Sequence, residues 1–176
     1  MSNWNKIFKP IVVLCVICIV MTGALAATNG VTAPIIEAAT IAAQNAARTE
    51  LLPEADNFTK VEGLNVANVV EAYTADNGTG VVVTSIGKGY GGEVTVMTAF
   101  TPDGTIKQLK VTSQAETQGL GTKVTTDSSY WARYEGLEAK TLTLGTDVDA
   151  MTGATISSKA LISAVNAAID GYNAIG

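Results

Sequence analysis

The residues best placed to do chemistry lie in the run Asp149-Ala150-Met151-Thr152-Gly153-Ala154-Thr155-Ile156-Ser157-Ser158. It carries hydroxyls at Thr152, Thr155, Ser157 and Ser158 among small residues, and it leads into an apolar-periodic stretch that reads as a helix. The first N–H groups of a helix have no intrahelical acceptors, and the aligned peptide dipoles make that end positive. An anion, above all a phosphate, is favoured there. A cap uses one hydroxyl, so this run is richer than capping requires. A second run, Glu116-Thr117-Gln118-Gly119-Leu120-Gly121-Thr122-Lys123, sets Leu120 between two glycines. Such glycines let backbone come close to a flat ligand while the aliphatic side chain packs on it. Thr117 and Thr122 add hydroxyls, and Lys123 adds a cation. Gly87-Lys88-Gly89-Tyr90-Gly91-Gly92 is glycine-rich too, but it lacks the Lys-Ser/Thr pair of a phosphate-binding P-loop and falls between strands. Alone it reads as a flexible hairpin loop.

What is missing narrows the chemistry further. The 176 residues contain no histidine, which removes the commonest general base and metal ligand. Cys15 and Cys18 both sit in one apolar run, where they read as small apolar residues rather than as thiol nucleophiles, disulfide partners or metal ligands. Difficult chemistry on this chain therefore calls for a cofactor. The net charge of -5 and the scattered Lys and Arg argue against nucleic acid as a partner. With 47% hydrophobic and only 15% charged residues, most of the chain has the composition of a folded or membrane protein, not of a disordered one.

The elements that must position these runs form an α+β pattern. From Pro10 to Ala27 there is no charge, which predicts a single transmembrane anchor over residues 10–27. Lys6 and Lys9 precede it, Trp4 is placed as an interfacial aromatic, and no basic residue follows until Arg48. The positive-inside rule then puts residues 1–9 in the cytoplasm and the remainder on the extracytoplasmic side. Ala24-Leu25-Ala26 resembles a signal-peptidase site, so removal of the segment stays open as the alternative. Thr32-Ala33-Pro34 predicts a helix start within a linker of residues 28–56. Residues 57–176 read as one domain. Strands are expected at 69–74, 80–86, 93–100 and 106–112, with Val94, Val96 and Thr98 on one face of the third, joined by turns at Asp76-Asn77-Gly78 and Pro102-Asp103-Gly104. A short helix over Ser128 to Tyr134 and a short strand over Leu142 to Leu144 follow. The last helix is expected behind a Ser157-Ser158 cap, with a stripe of Leu161, Ala164, Val165, Ala168, Ile169 and Tyr172.

Asp-x-x-Thr-Gly-Ala-Thr-x-Ser, at residues 149–157, resembles the flavinylation signal of the FMN-binding domain shared by RnfG and NqrC subunits. Gly89-Tyr90-Gly91-Gly92, the Asp103-Gly104 hairpin and the 116–121 run occur in the order of RnfG-like chains, though Gln118 stands where that family usually has Pro. The resemblance spans essentially the whole chain and is closer to RnfG than to the longer NqrC. It implies FMN joined by a phosphoester to Thr155, installed by a Mg-dependent flavin transferase with FAD as donor. It further implies that Thr152, Gly153, Ala154, Ser157 and Ser158 surround the phosphate, and that Gly119, Leu120 and Gly121 lie along the isoalloxazine ring. Glu116, Thr117 and Lys123 would supply polar groups. Tyr90 and Trp131 would pack beside the ring or belong to the core. Asp149 would serve recognition by the transferase. No side chain is assigned to catalysis or to a metal. The implied role is electron relay in a membrane-bound, ion-translocating ferredoxin:NAD oxidoreductase, with other Rnf-type subunits as partners and Na+ or H+ as the coupled ion. Two other readings stay open: a stand-alone membrane-anchored flavoprotein reductase, and an anchored structural module without cofactor.

Overall fold

The computed structural model describes residues 8–116 and 121–176. The expectations resting on Trp4, Lys6, Thr117, Gly119 and Leu120 lie outside the described residues. The chain divides into two units, Met1–Ala43 and Gln44–Gly176.

Helix α1 runs from Lys9 to Leu51 without a break. A separate start at Thr32 is therefore not what forms. The Thr32 hydroxyl donates to the Thr28 carbonyl at 2.9 Å, one turn back, instead of capping a new helix. Pro34 lies inside the helix, where it removes one backbone donor. Within the first unit the side chains of Leu14, Ile19 and Leu25 are exposed. Helix α1 is long and apolar enough to cross a membrane.

In the second unit a five-stranded antiparallel meander comprises β1 (Phe58–Lys60), β2 (Val69–Ala75), β3 (Val81–Lys88), β4 (Glu93–Phe100) and β5 (Ile106–Ser113), in that spatial order. Then come α2 (Thr122–Thr126), α3 (Ser128–Trp131), a 3₁₀ turn (Ala132–Tyr134) and α4 (Thr155–Asn173). Both faces of the sheet are covered. Val83, Val94, Val96 and Phe100 pack with Leu161, Ala164, Val165 and Ala168 of α4. On the other face Val82, Met97 and Ala99 pack with Ala47, Leu51 and Leu52. This is why β4 is buried at six of its eight positions: Met97 and Ala99 are buried as fully as Val94 and Val96, and the expected one-sided alternation describes only half of it. It is also why the compact unit begins at Gln44, ahead of the residue 57 expected from composition. The end of α1 is part of this unit's core.

Helix α4 lies very close to β3. A Cβ on Gly87 would stand 2.0 Å from the Ala160 carbonyl oxygen, so only glycine fits there. The buried Ser85 hydroxyl donates to the Ala164 carbonyl at 2.7 Å and fixes the helix along the strand. Leu142 to Leu144 does not form a strand; Leu144 makes a single parallel bridge to Val148. Asn166 of α4 holds this segment instead. Its Oδ1 accepts from the Leu142 N–H at 2.8 Å, and its Nδ2 donates to the Leu142 carbonyl at 2.9 Å. Asn166→Ala leaves both groups without a partner and should cost about 2 kcal/mol, read as a lower midpoint in urea with an unchanged slope.

Candidate functional site

Helix α4 carries Thr155 at its first position. The expected cap at Ser157-Ser158 is displaced: Ala154, three residues ahead of Ser157, occupies the N-cap with no side-chain bond. Alanine is a poor cap. The N–H groups of Thr155, Ile156 and Ser157 find no acceptor among the described residues. Gly153, at φ 81°, makes the left-handed turn that leads into the helix. The start of the loop is fastened by Tyr130, whose hydroxyl donates to the Asp149 carbonyl at 3.0 Å. Burial pushes the hydroxyl of the neighbouring Tyr134 far above its ordinary range.

The two serines have separate tasks. Ser158 is fully buried; its hydroxyl accepts from the Met151 N–H at 3.1 Å and donates to the Ala154 carbonyl at 3.0 Å. It braces the loop and is not among the residues that line the cleft. The Ser157 hydroxyl donates to Glu116 Oε2 at 2.5 Å. The other carboxylate oxygen, Oε1, accepts from the Gly91 N–H at 3.1 Å. Glu116 therefore joins the glycine-rich loop to the first turn of α4. It does so from a burial of 7% relative exposure. A Cβ on Gly89 would stand 2.0 Å from its Oε1, and one on Gly121 would stand 2.1 Å from its Oε2 and 2.6 Å from Ser157 Oγ. Gly121, expected to face a ligand, is needed here to admit this carboxylate.

An open cleft of about 450 Å³ results. Glu116, Gly121 and Ser157 line it, with Tyr90, Gly153, Ala154, Thr155 and Ile156. Tyr90 is 76% exposed and belongs to the cleft, not to the core. Trp131 belongs to the core: it is half-buried, and its indole N–H donates to the Val124 carbonyl at 2.8 Å. Thr152 and Lys123 are exposed beyond the cleft lining. Sequence reasoning misses Ile156, which is 52% exposed in the cleft. A lone isoleucine between hydroxyl residues carries no signal until the helix start is placed.

The FMN-binding domain family matches residues 89–170, which spans every cleft residue. The RnfG-type subunit of the Na(+)-translocating ferredoxin:NAD(+) oxidoreductase complex of Acetobacterium woodii is 33% identical, over 97% of this chain and 93% of its own length. Its counterpart in the proton-translocating complex of Clostridium ljungdahlii is also 33% identical, over 96% and 93%. The chain belongs to the RnfG family. The fold agrees with that of Shewanella oneidensis NqrC, at a TM-score of 0.50 and 24% identity, over 69% of this chain and 70% of that one.

The cleft of this RnfG-family chain suits the cofactor its domain is named for. Its volume lies in the roughly 300–1,000 Å³ range of small-molecule sites. Unused N–H donors at a helix start match a phosphate, and Tyr90 and Ile156 offer apolar surface to a flat ring system.

Proposed function

We propose that this chain carries FMN covalently at Thr155 and relays electrons in an ion-translocating ferredoxin:NAD oxidoreductase of the cell membrane. The observation that carries the reading is the exposed Thr155 hydroxyl at an uncapped helix start, inside the same cleft as Tyr90, Glu116 and Gly121. The Thr155 oxygen would displace AMP from FAD on a flavin transferase, losing its proton and gaining the FMN phosphoryl group. Once bound, flavin supplies the electron chemistry; the protein binds, orients and tunes. The N–H groups of Ile156 and Ser157 would hold the phosphate, and Tyr90 and Ile156 would flank the ring. Glu116 and Ser157 keep that wall rigid. A tether keeps the cofactor at its site whatever the medium contains.

Helix α1 would cross the membrane over residues 10–27 with its start in the cytoplasm, leaving the flavin on the extracytoplasmic side beside other Rnf-type subunits. The first test is a denaturing gel under ultraviolet light. The full chain, expressed with a flavin transferase, should give a fluorescent band and a mass raised by one FMN phosphoryl group. A dark, unshifted band in a host whose transferase labels a control protein would overturn the reading.

A further inference from the structure

The network around Glu116 holds a charge that no ion pair among the described residues offsets. Both carboxylate oxygens are hydrogen-bonded, one accepting from the Gly91 N–H and one from the Ser157 hydroxyl. Both donors are neutral, and the ion pairs among the described residues do not include Glu116. Residues 117–120, which follow it in the chain, contain no Lys or Arg. Glu116 is buried and lines the cleft. The backbone of Gly89 and Gly121 comes so close that a side chain at either would collide with its carboxylate.

We propose that Glu116 sets the reduction potential of the flavin held in this cleft, its fixed negative charge making the bound cofactor harder to reduce. The inference rests on the flavin reading above. Reduction adds negative charge to the ring system, and a carboxylate in a poorly solvated wall opposes it more strongly than one in water. Hydrogen bonds and charges beside the ring are among the levers by which a protein tunes a flavin. Neither donor can cancel the effect, since each contributes only a dipole.

Potentiometry on the full chain, loaded with flavin and held in detergent, tests this. Glu116→Gln keeps the shape and removes the charge, and it should shift the midpoint potential to a more positive value. Ser157→Ala removes one hydrogen bond and keeps the charge, so its potential should stay near wild type although its melting temperature falls. An unshifted Glu116→Gln, or a Ser157→Ala shifted as far, would overturn the assignment. If Glu116→Gln takes up no flavin, Glu116→Asp is measured in its place. A wild-type potential there supports the charge; a potential raised well above wild type, or a second dark protein, overturns it. A dark wild type is a different result and strikes the flavin reading itself.

Discussion

Thr155→Ala should fold like the wild type and carry no covalent flavin after expression with the transferase. The two halves of this expectation have separate grounds. Thr155 is exposed, and its hydroxyl has no hydrogen-bond partner among the described residues, so nothing in the fold depends on it. Alanine is the better helix former at that position, and the change in stability should stay within about 0.5 kcal/mol. Loading depends on the one oxygen that is removed. In-gel fluorescence and intact mass should both fall to background while the melting curve overlays that of the wild type. A labelled Thr155→Ala would move the acceptor elsewhere in the run, with Thr152 the first to examine.

The opposite combination is expected of Gly87→Val, which touches no cleft residue and should damage both fold and site. At Gly87 the backbones of β3 and α4 meet: an added Cβ lies 2.0 Å from the Ala160 oxygen and 3.2 Å from the Ala164 nitrogen. Neither partner is the free end of a side chain. Strand β3 cannot yield, because it is paired on both sides, with β2 and with β4. Helix α4 cannot lift away without breaking the bond from Ser85 to the Ala164 carbonyl. Overpacking of this kind costs about 3 kcal/mol, a fall of roughly 10 °C in melting temperature for a domain of this size. Because α4 also carries Thr155 and Ser157, flavin loading should drop with it. A melting temperature within about 2 °C of wild type would show that the contact is looser than its geometry.

These expected results separate what is legible in the sequence from what is hidden there. Strand β4 is readable to its ends, and β2, β3 and β5 nearly so, since β-branched runs between Gly-containing turns leave few other structures open. The stripe of α4 is readable because a helix packed on a sheet needs one. Strand β1 is not, being three residues long at the sheet edge with two of them exposed. The α4 start is misplaced from sequence because Ser157 and Ser158 look like caps, while their hydroxyls serve Glu116 and the loop carbonyl of Ala154. For the site, the run around Thr155 declares itself through hydroxyls that exceed capping needs. The task of Glu116 does not, because its partners lie 25 and 41 residues away, and no local pattern encodes a contact between them. Gly121 stands out in sequence, but for nearness to a ligand; its tightest constraint is the carboxylate behind it.

The burial of Ala47, Leu51 and Leu52 against Val82, Met97 and Ala99 has a consequence for where the chain can be cut without harm. A protease acting after Ala24-Leu25-Ala26, or anywhere ahead of Gln44, would shed a domain whose apolar interior is whole. A cut between Leu52 and Phe58 would strip one face of the sheet to solvent and leave a sticky fragment. Loss of the apolar N-terminal segment and loss of the fold are thus separate events, divided by fewer than ten residues of helix (about two turns).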